Sequence, residues 1–128
     1  MDTHILIWWV DDNPRLPKKI KKVIVDTSKK STILVSSISV WEIALLVKKQ
    51  KITLLRSVDH WIEEIEKLPF IKFLPVDNQI ALKSVGLPGA FHGDPADRFI
   101  VTTTREHGAS LITADKRILN YPHVQTIW

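Results

Sequence analysis

Asp94 and Asp97 bracket a proline in the stretch FHGDPADRFIVTTTREHG, Phe91 to Gly108, which runs directly into an apolar segment. Asp94-Pro95 reads as a helix start, with Asp94 as N-cap and Pro95 at the first helical position. Gly108 falls where a helix of that length would end. One carboxylate suffices for a cap. Asp97 is set one turn further in, with Ile100 and Val101 at i+3 and i+4 on its face. Three more acids share this setting: Asp2 before HILIWW, Glu42 among Ile38, Trp41, Leu45 and Leu46, and Asp115 just after SLIT. Like charges gathered at one place raise each other's pKa and destabilise a fold unless a cation offsets them. An all-oxygen set without cysteine suits Mg²⁺ or Mn²⁺ rather than Zn²⁺, and Mg²⁺ on a few carboxylates typically serves phosphoryl chemistry. Arg98 beside Asp97, and Lys116 and Arg117 after Asp115, are candidate phosphate clamps.

Each acid also has a plain structural reading. Ser39-Val40-Trp41-Glu42 matches a capping box, with Ser39 at N-cap and Glu42 three residues on. Asp97 suits the positive end of a helix dipole, and Asp115 could cap a short helix in TADKR. Asp94 reads chiefly as a cap and only secondarily as a fifth ligand. Thr3 could orient a ligand or cap the first helix, and lone histidines such as His4 and His92 are more often structural. What the capping readings leave unexplained is why acids with apolar flanks would converge. A desolvated carboxylate needs a partner.

Convergence depends on the elements that carry the acids. HILIWWVDD reads as a short buried helix, and RLPKKIKKVIVDTSKK as a surface helix with a lysine face. TILVSS is a buried strand, SVWEIALLVKKQ a helix, and SVDHWIEEIEKL a helix whose stripe is Val58, Trp61, Ile62 and Ile65. IKFLPV is extended, NQIALKSV a helix closed by Gly86 and Pro88, SLIT a strand, Lys116 to Leu119 a short helix and VQTIW a last strand. Strands alternating with helices predict an α/β domain with a mainly parallel sheet covered on both faces. Sites in such sheets lie at the carboxyl ends of the strands. Asp115 follows one strand, Glu42 opens the helix after another, and Asp2 follows what only Met1 remains to form.

The 128 residues predict a single domain, 1–128, with no repeat or linker to divide it. With 45% hydrophobic residues and a mean hydropathy of +0.01 the chain is globular rather than disordered. No apolar run approaches a membrane span, and no signal peptide precedes the first one. The absence of cysteine excludes a disulfide scaffold, a thiol nucleophile and a Cys-based zinc site, and fits a cytoplasmic protein. A net charge of +4 and a pI near 9.4 point to an anionic partner, nucleic acid first.

MDTHILIWW, SSISVWEIALLVKK, GDPADRFIVTTTREHG, LITADKRIL and YPHVQTIW, in this order and spacing, closely resemble the PIN-domain ribonucleases, specifically VapC-type toxins of toxin–antitoxin pairs. The resemblance covers essentially the whole chain. It implies a three-layer α/β domain with about five mainly parallel strands between helices, and a divalent-metal endoribonuclease leaving 5′-phosphate and 3′-hydroxyl ends. The family's acidic quartet maps onto Asp2, Glu42, Asp97 and Asp115, with Mg²⁺ or Mn²⁺ as cofactor. Expected partners are RNA, a small antitoxin protein and a second copy in a homodimer. An arginine on an antitoxin tail could pair with such acids in place of the metal. Family members usually carry a few more apolar residues before the DTH motif, so the first strand is expected to be truncated here. That shortening is what favours the alternative, a catalytically impaired module that binds antitoxin or RNA without cleaving. A receiver or haloacid-dehalogenase type enzyme is disfavoured, because Asp2-Thr3-His4 lacks a second aspartate two residues on.

Overall fold

The computed structural model describes residues 1–128. Its helices are α1 (Thr3–Val10), α2 (Lys18–Lys30), α3 (Ile38–Lys48), α4 (Val58–Glu66), α5 (Asn78–Val85), α6 (Pro95–Glu106) and α7 (Lys116–Leu119). The strands are β1 (Ile33–Ser36), β2 (Ile71–Leu74), β3 (Leu111–Ile112) and β4 (Thr126–Ile127). Every predicted element is present, in the predicted order. β1 pairs in parallel with β2 from Ile33↔Ile71 to Ser36↔Leu74, and β3 pairs in parallel with β4 at Leu111↔Thr126 and Ile112↔Ile127.

The expected sheet of about five strands is instead two parallel pairs. Residues Met1 and Asp2 lie between the two pairs. The Met1 amine donates to the Leu34 carbonyl of β1 at 3.0 Å, and the Asp2 N–H donates to the Ile112 carbonyl of β3 at 3.0 Å. Met1-Asp2 thus bridges the pairs with one bond on each side, too short a stub to form a ladder. Behind it a cavity of about 250 Å³ remains, lined by Met1, Leu34, Ser36, Thr103 and Ile112. The buried Thr103 hydroxyl finds no protein partner.

Alternation along a strand places successive side chains on opposite faces. Ile112 joins the larger core, with Ile5, Leu6, Ile20, Val35 and Ile43, while its neighbour Leu111 joins a second core of Ile100, Val101, Ile118 and Tyr121. Apolar layers therefore cover both faces, the three-layer arrangement expected. The α2 lysines stay outward while Ile20 and Ile24 are buried, as the amphipathic spacing requires. In α4, Trp61 is buried with its indole N–H donating to Asp11 at 3.1 Å.

Candidate active site

Local rules fix where each acid stands. Asp94 is the N-cap of α6: its Oδ1 accepts from the Asp97 N–H at 3.0 Å, and Pro95 follows at the first helical position. This leaves Asp97 at the third helical position, 8% exposed, facing inward. Asp115 caps α7, accepting from the Arg117 N–H at 2.8 Å. Glu42 departs from expectation. The N-cap of α3 is Ser37, so no capping box joins Ser39 to Glu42, and Glu42 sits in the second turn rather than the first. Ser39 is buried inside the helix instead, and the cap reading of Glu42 falls.

Three acids are each gripped by one oxygen. Asp2 Oδ2 accepts from the Thr113 hydroxyl at 2.7 Å, and Glu42 Oε1 from the Thr3 hydroxyl at 2.5 Å. Asp97 Oδ2 lies 2.6 Å from His92 Nε2 and 3.2 Å from Arg117 Nη2. Thr3 has a single proton, which goes to Glu42, so the Ser39 hydroxyl 2.8 Å away donates to Thr3. Thr113 likewise donates to Asp2 while accepting from the Asp115 N–H at 3.1 Å, tying two acids through one hydroxyl. The other oxygen of Asp2, Glu42 and Asp97 receives no protein donor.

The acids lie within electrostatic reach of one another. Burial pushes Glu42 up to about 7, with the charges of Asp2, Asp97 and Asp94 adding to the rise against the Thr3 hydrogen bond. Burial also raises Asp97, with Asp94, Asp2 and Asp115 adding, despite its contact with His92. Asp115 runs the other way, because Arg117 holds its carboxyl below the usual range. The acids do not close on one point, since no three of them stand at the spacing of a ready metal shell. Two of them, Asp97 and Asp115, are bridged by Arg117, whose Nη2 lies 3.2 Å from one and 2.8 Å from the other. The donor set still fits a hard cation: carboxylate oxygens only, individually oriented, with one lone oxygen each on three residues.

The basic candidates separate. Arg98 is not a phosphate clamp: its guanidinium donates to the carbonyls of Ser84 (2.8 Å), Phe91 (2.9 Å), His92 (3.2 Å) and Val85 (3.3 Å), fastening the loop before α6 to α5. Lys116 is exposed, and Arg117 lies across the acids. Thr3 does not cap α1 but orients Glu42. His4 is exposed, set edge-on to Trp8. Sequence reasoning missed Ser39, Thr113 and the bond of His92 to Asp97. Small hydroxyl residues two or three positions from an acid, as in LITAD and SVWE, were the available signal.

This arrangement coincides with a known domain. The PIN-domain family model matches residues 1–124. The chain belongs to the PIN-domain family. Ribonuclease VapC22 of Mycobacterium tuberculosis is 31% identical to this PIN domain over 130 residues, covering 100% of the chain and 96% of the relative. A crystal structure of VapBC2 from Rickettsia felis, bound to a DNA fragment from their promoter, superposes with a TM-score of 0.70 at 17% identity. It covers 98% of this chain and 94% of that one, a likeness of fold. The PIN domain thus has the VapC-type sequence signature and fold together.

Proposed function

We propose that this PIN domain is a divalent-metal-dependent endoribonuclease, the toxin of a toxin–antitoxin pair, restrained by a small antitoxin protein. The observation that carries the reading is the cleft itself: Asp2, Glu42 and Asp97 are each fixed by one oxygen and offer the other. The similarity to a protein named as a ribonuclease supports RNA as the substrate, and the VapBC2 neighbour supports a protein partner. Asp2 and Asp97 would hold the cation, with Glu42 and Asp115 completing its surroundings and Asp94 serving as cap. Mg²⁺ or Mn²⁺ there supplies Lewis acidity, acidifying a water for attack on phosphorus and offsetting charge on the phosphate oxygens. Glu42, near 7, can hold or release a proton at neutral pH. Lys116 and Arg117, exposed at the rim, suit the flanking phosphates. Leu82 and Val85 on α5, 78% and 79% exposed, suit contact with a second copy in a homodimer.

The second reading, a module that binds without cutting, draws on the lack of a ready metal shell. Incubation with a pool of cellular RNAs, with ends mapped, separates the two. Cleavage should require Mn²⁺ or Mg²⁺, stop in chelator and leave 5′-phosphates. Asp97→Asn should lower the rate by at least about 100-fold, the scale of one lost electrostatic group in a catalytic centre. Binding of RNA with no cut in any metal would favour the second reading.

A further inference from the structure

Arg117 places one nitrogen between two carboxylates. Its Nη2 lies 2.8 Å from Asp115 Oδ2 and 3.2 Å from Asp97 Oδ2. Its Nε and main-chain N–H also reach Asp115 Oδ1, at 3.3 Å and 2.8 Å. The chain therefore supplies its own cation at the meeting point of two acids that the proposed function assigns to the metal.

The two ends of this bridge differ in mobility. Asp97 is buried, fixed from behind by His92 and seated on α6. The Arg117 side chain is 58% exposed and leaves a helix of one turn. An exposed pair on a long side chain is weakly held, because water screens it and ordering the chain costs entropy. One guanidinium also cannot balance Asp2, Glu42, Asp94, Asp97 and Asp115 together. A dication arriving among them meets a bridge whose longest and most exposed member is the arginine.

We propose that Arg117 is an exchangeable counter-ion, which bridges Asp97 and Asp115 in the metal-free protein and swings out when a divalent cation binds. This rests on the metal-nuclease reading. The released guanidinium stands at the rim of the cleft, where its planar fork suits a phosphate of the RNA. The phosphate-clamp role and the acid-bridging role of Arg117 are thereby successive states of one side chain. The bridge competes with the metal, so apparent affinity is reduced by the fraction of molecules in which it is closed.

Calorimetric titration of the purified chain with Mn²⁺ tests this, using wild type, Arg117→Gln, Arg117→Lys and Asp97→Asn. Arg117→Gln should bind Mn²⁺ more tightly, by about 5- to 50-fold for a bridge closed in most molecules. Arg117→Lys, which keeps the charge without the fork, should fall between. An arginine with a merely structural role would leave affinity level or weaken it when removed, and either result overturns the proposal. On the wild-type protein, the Arg117 Nε–Hε NMR signal should move toward that of a free arginine as diamagnetic Mg²⁺ is added. An unmoved signal at saturation overturns it even if Arg117→Gln does not fold. Wild-type binding that Asp97→Asn abolishes, with Arg117→Gln unchanged, removes this inference and leaves the metal reading standing. No binding by wild type removes both.

Discussion

At Glu42, burial and neighbouring charge act in the same direction, while the Thr3 hydroxyl opposes them, and the carboxyl settles near 7. An acid whose pKa is raised on folding binds its proton more tightly in the folded state. In chelator, its cost to stability is therefore absent below about 4.5, grows as pH rises, and is complete above about 7. Glu42→Gln keeps the shape and removes the charge. The difference in melting temperature between the variant and wild type should accordingly widen in favour of the variant from pH 4.5 to pH 7 and then level off. A difference that stays constant with pH would mean that Glu42 is ionised throughout and that its burial does not govern it. The Thr3 bond works against this effect in wild type, and glutamine's carbonyl oxygen can still accept it.

Among the elements, helix and strand order was legible because each segment is short, strongly patterned and punctuated. Gly86 ends α5, Pro17 opens α2, and Asp94-Pro95 opens α6. The positions of Asp97 and Asp115 followed from those caps. What could not be read was the side-chain wiring between elements distant in the chain. Thr3 meets Ser39 and Glu42, and Thr113 meets Asp2 across 111 positions, and no local period encodes such meetings. The capping-box motif misplaced Glu42 because the N-cap of α3 is Ser37, two residues before Ser39. Arg98 was misread for a similar reason, since charge beside an acid says nothing of the carbonyls that a loop brings around it. The cap itself is testable. Asp94→Ala should cost about 0.5–2 kcal/mol of stability, the range for a lost N-cap, at a cleavage rate per folded molecule within a few-fold of wild type. A collapse in rate comparable to that of Asp97→Asn, at unchanged stability, would reassign Asp94 from the cap to the cation.

For the molecule as a whole, the candidate site straddles a seam. Glu42 follows β1 of one strand pair, Asp115 follows β3 of the other, and Asp2 lies on the stub between them. The seam is thinly joined, with one main-chain bond on either side of Met1-Asp2 and a cavity of about 250 Å³ behind it. Openings that part the two pairs must also part the acids, whereas fraying of β2 need not. A cation that binds only the assembled acids should therefore slow the first kind of opening selectively. At 100 times its dissociation constant the effect reaches about 2.7 kcal/mol, or roughly 100-fold in exchange rate. Hydrogen exchange with saturating Mg²⁺ should show this at the amide of Asp2, which bonds from the stub to Ile112 of β3, whereas the amide of Thr113, bonded to Ile127 within the β3–β4 pair, should respond less. The amide of Ile33, bonded to Phe70 at the outer pair, should likewise respond less. Equal exchange at Asp2 with and without Mg²⁺, in a protein shown by titration to be loaded, would place the cation on one side of the seam and remove Asp2 from its ligands.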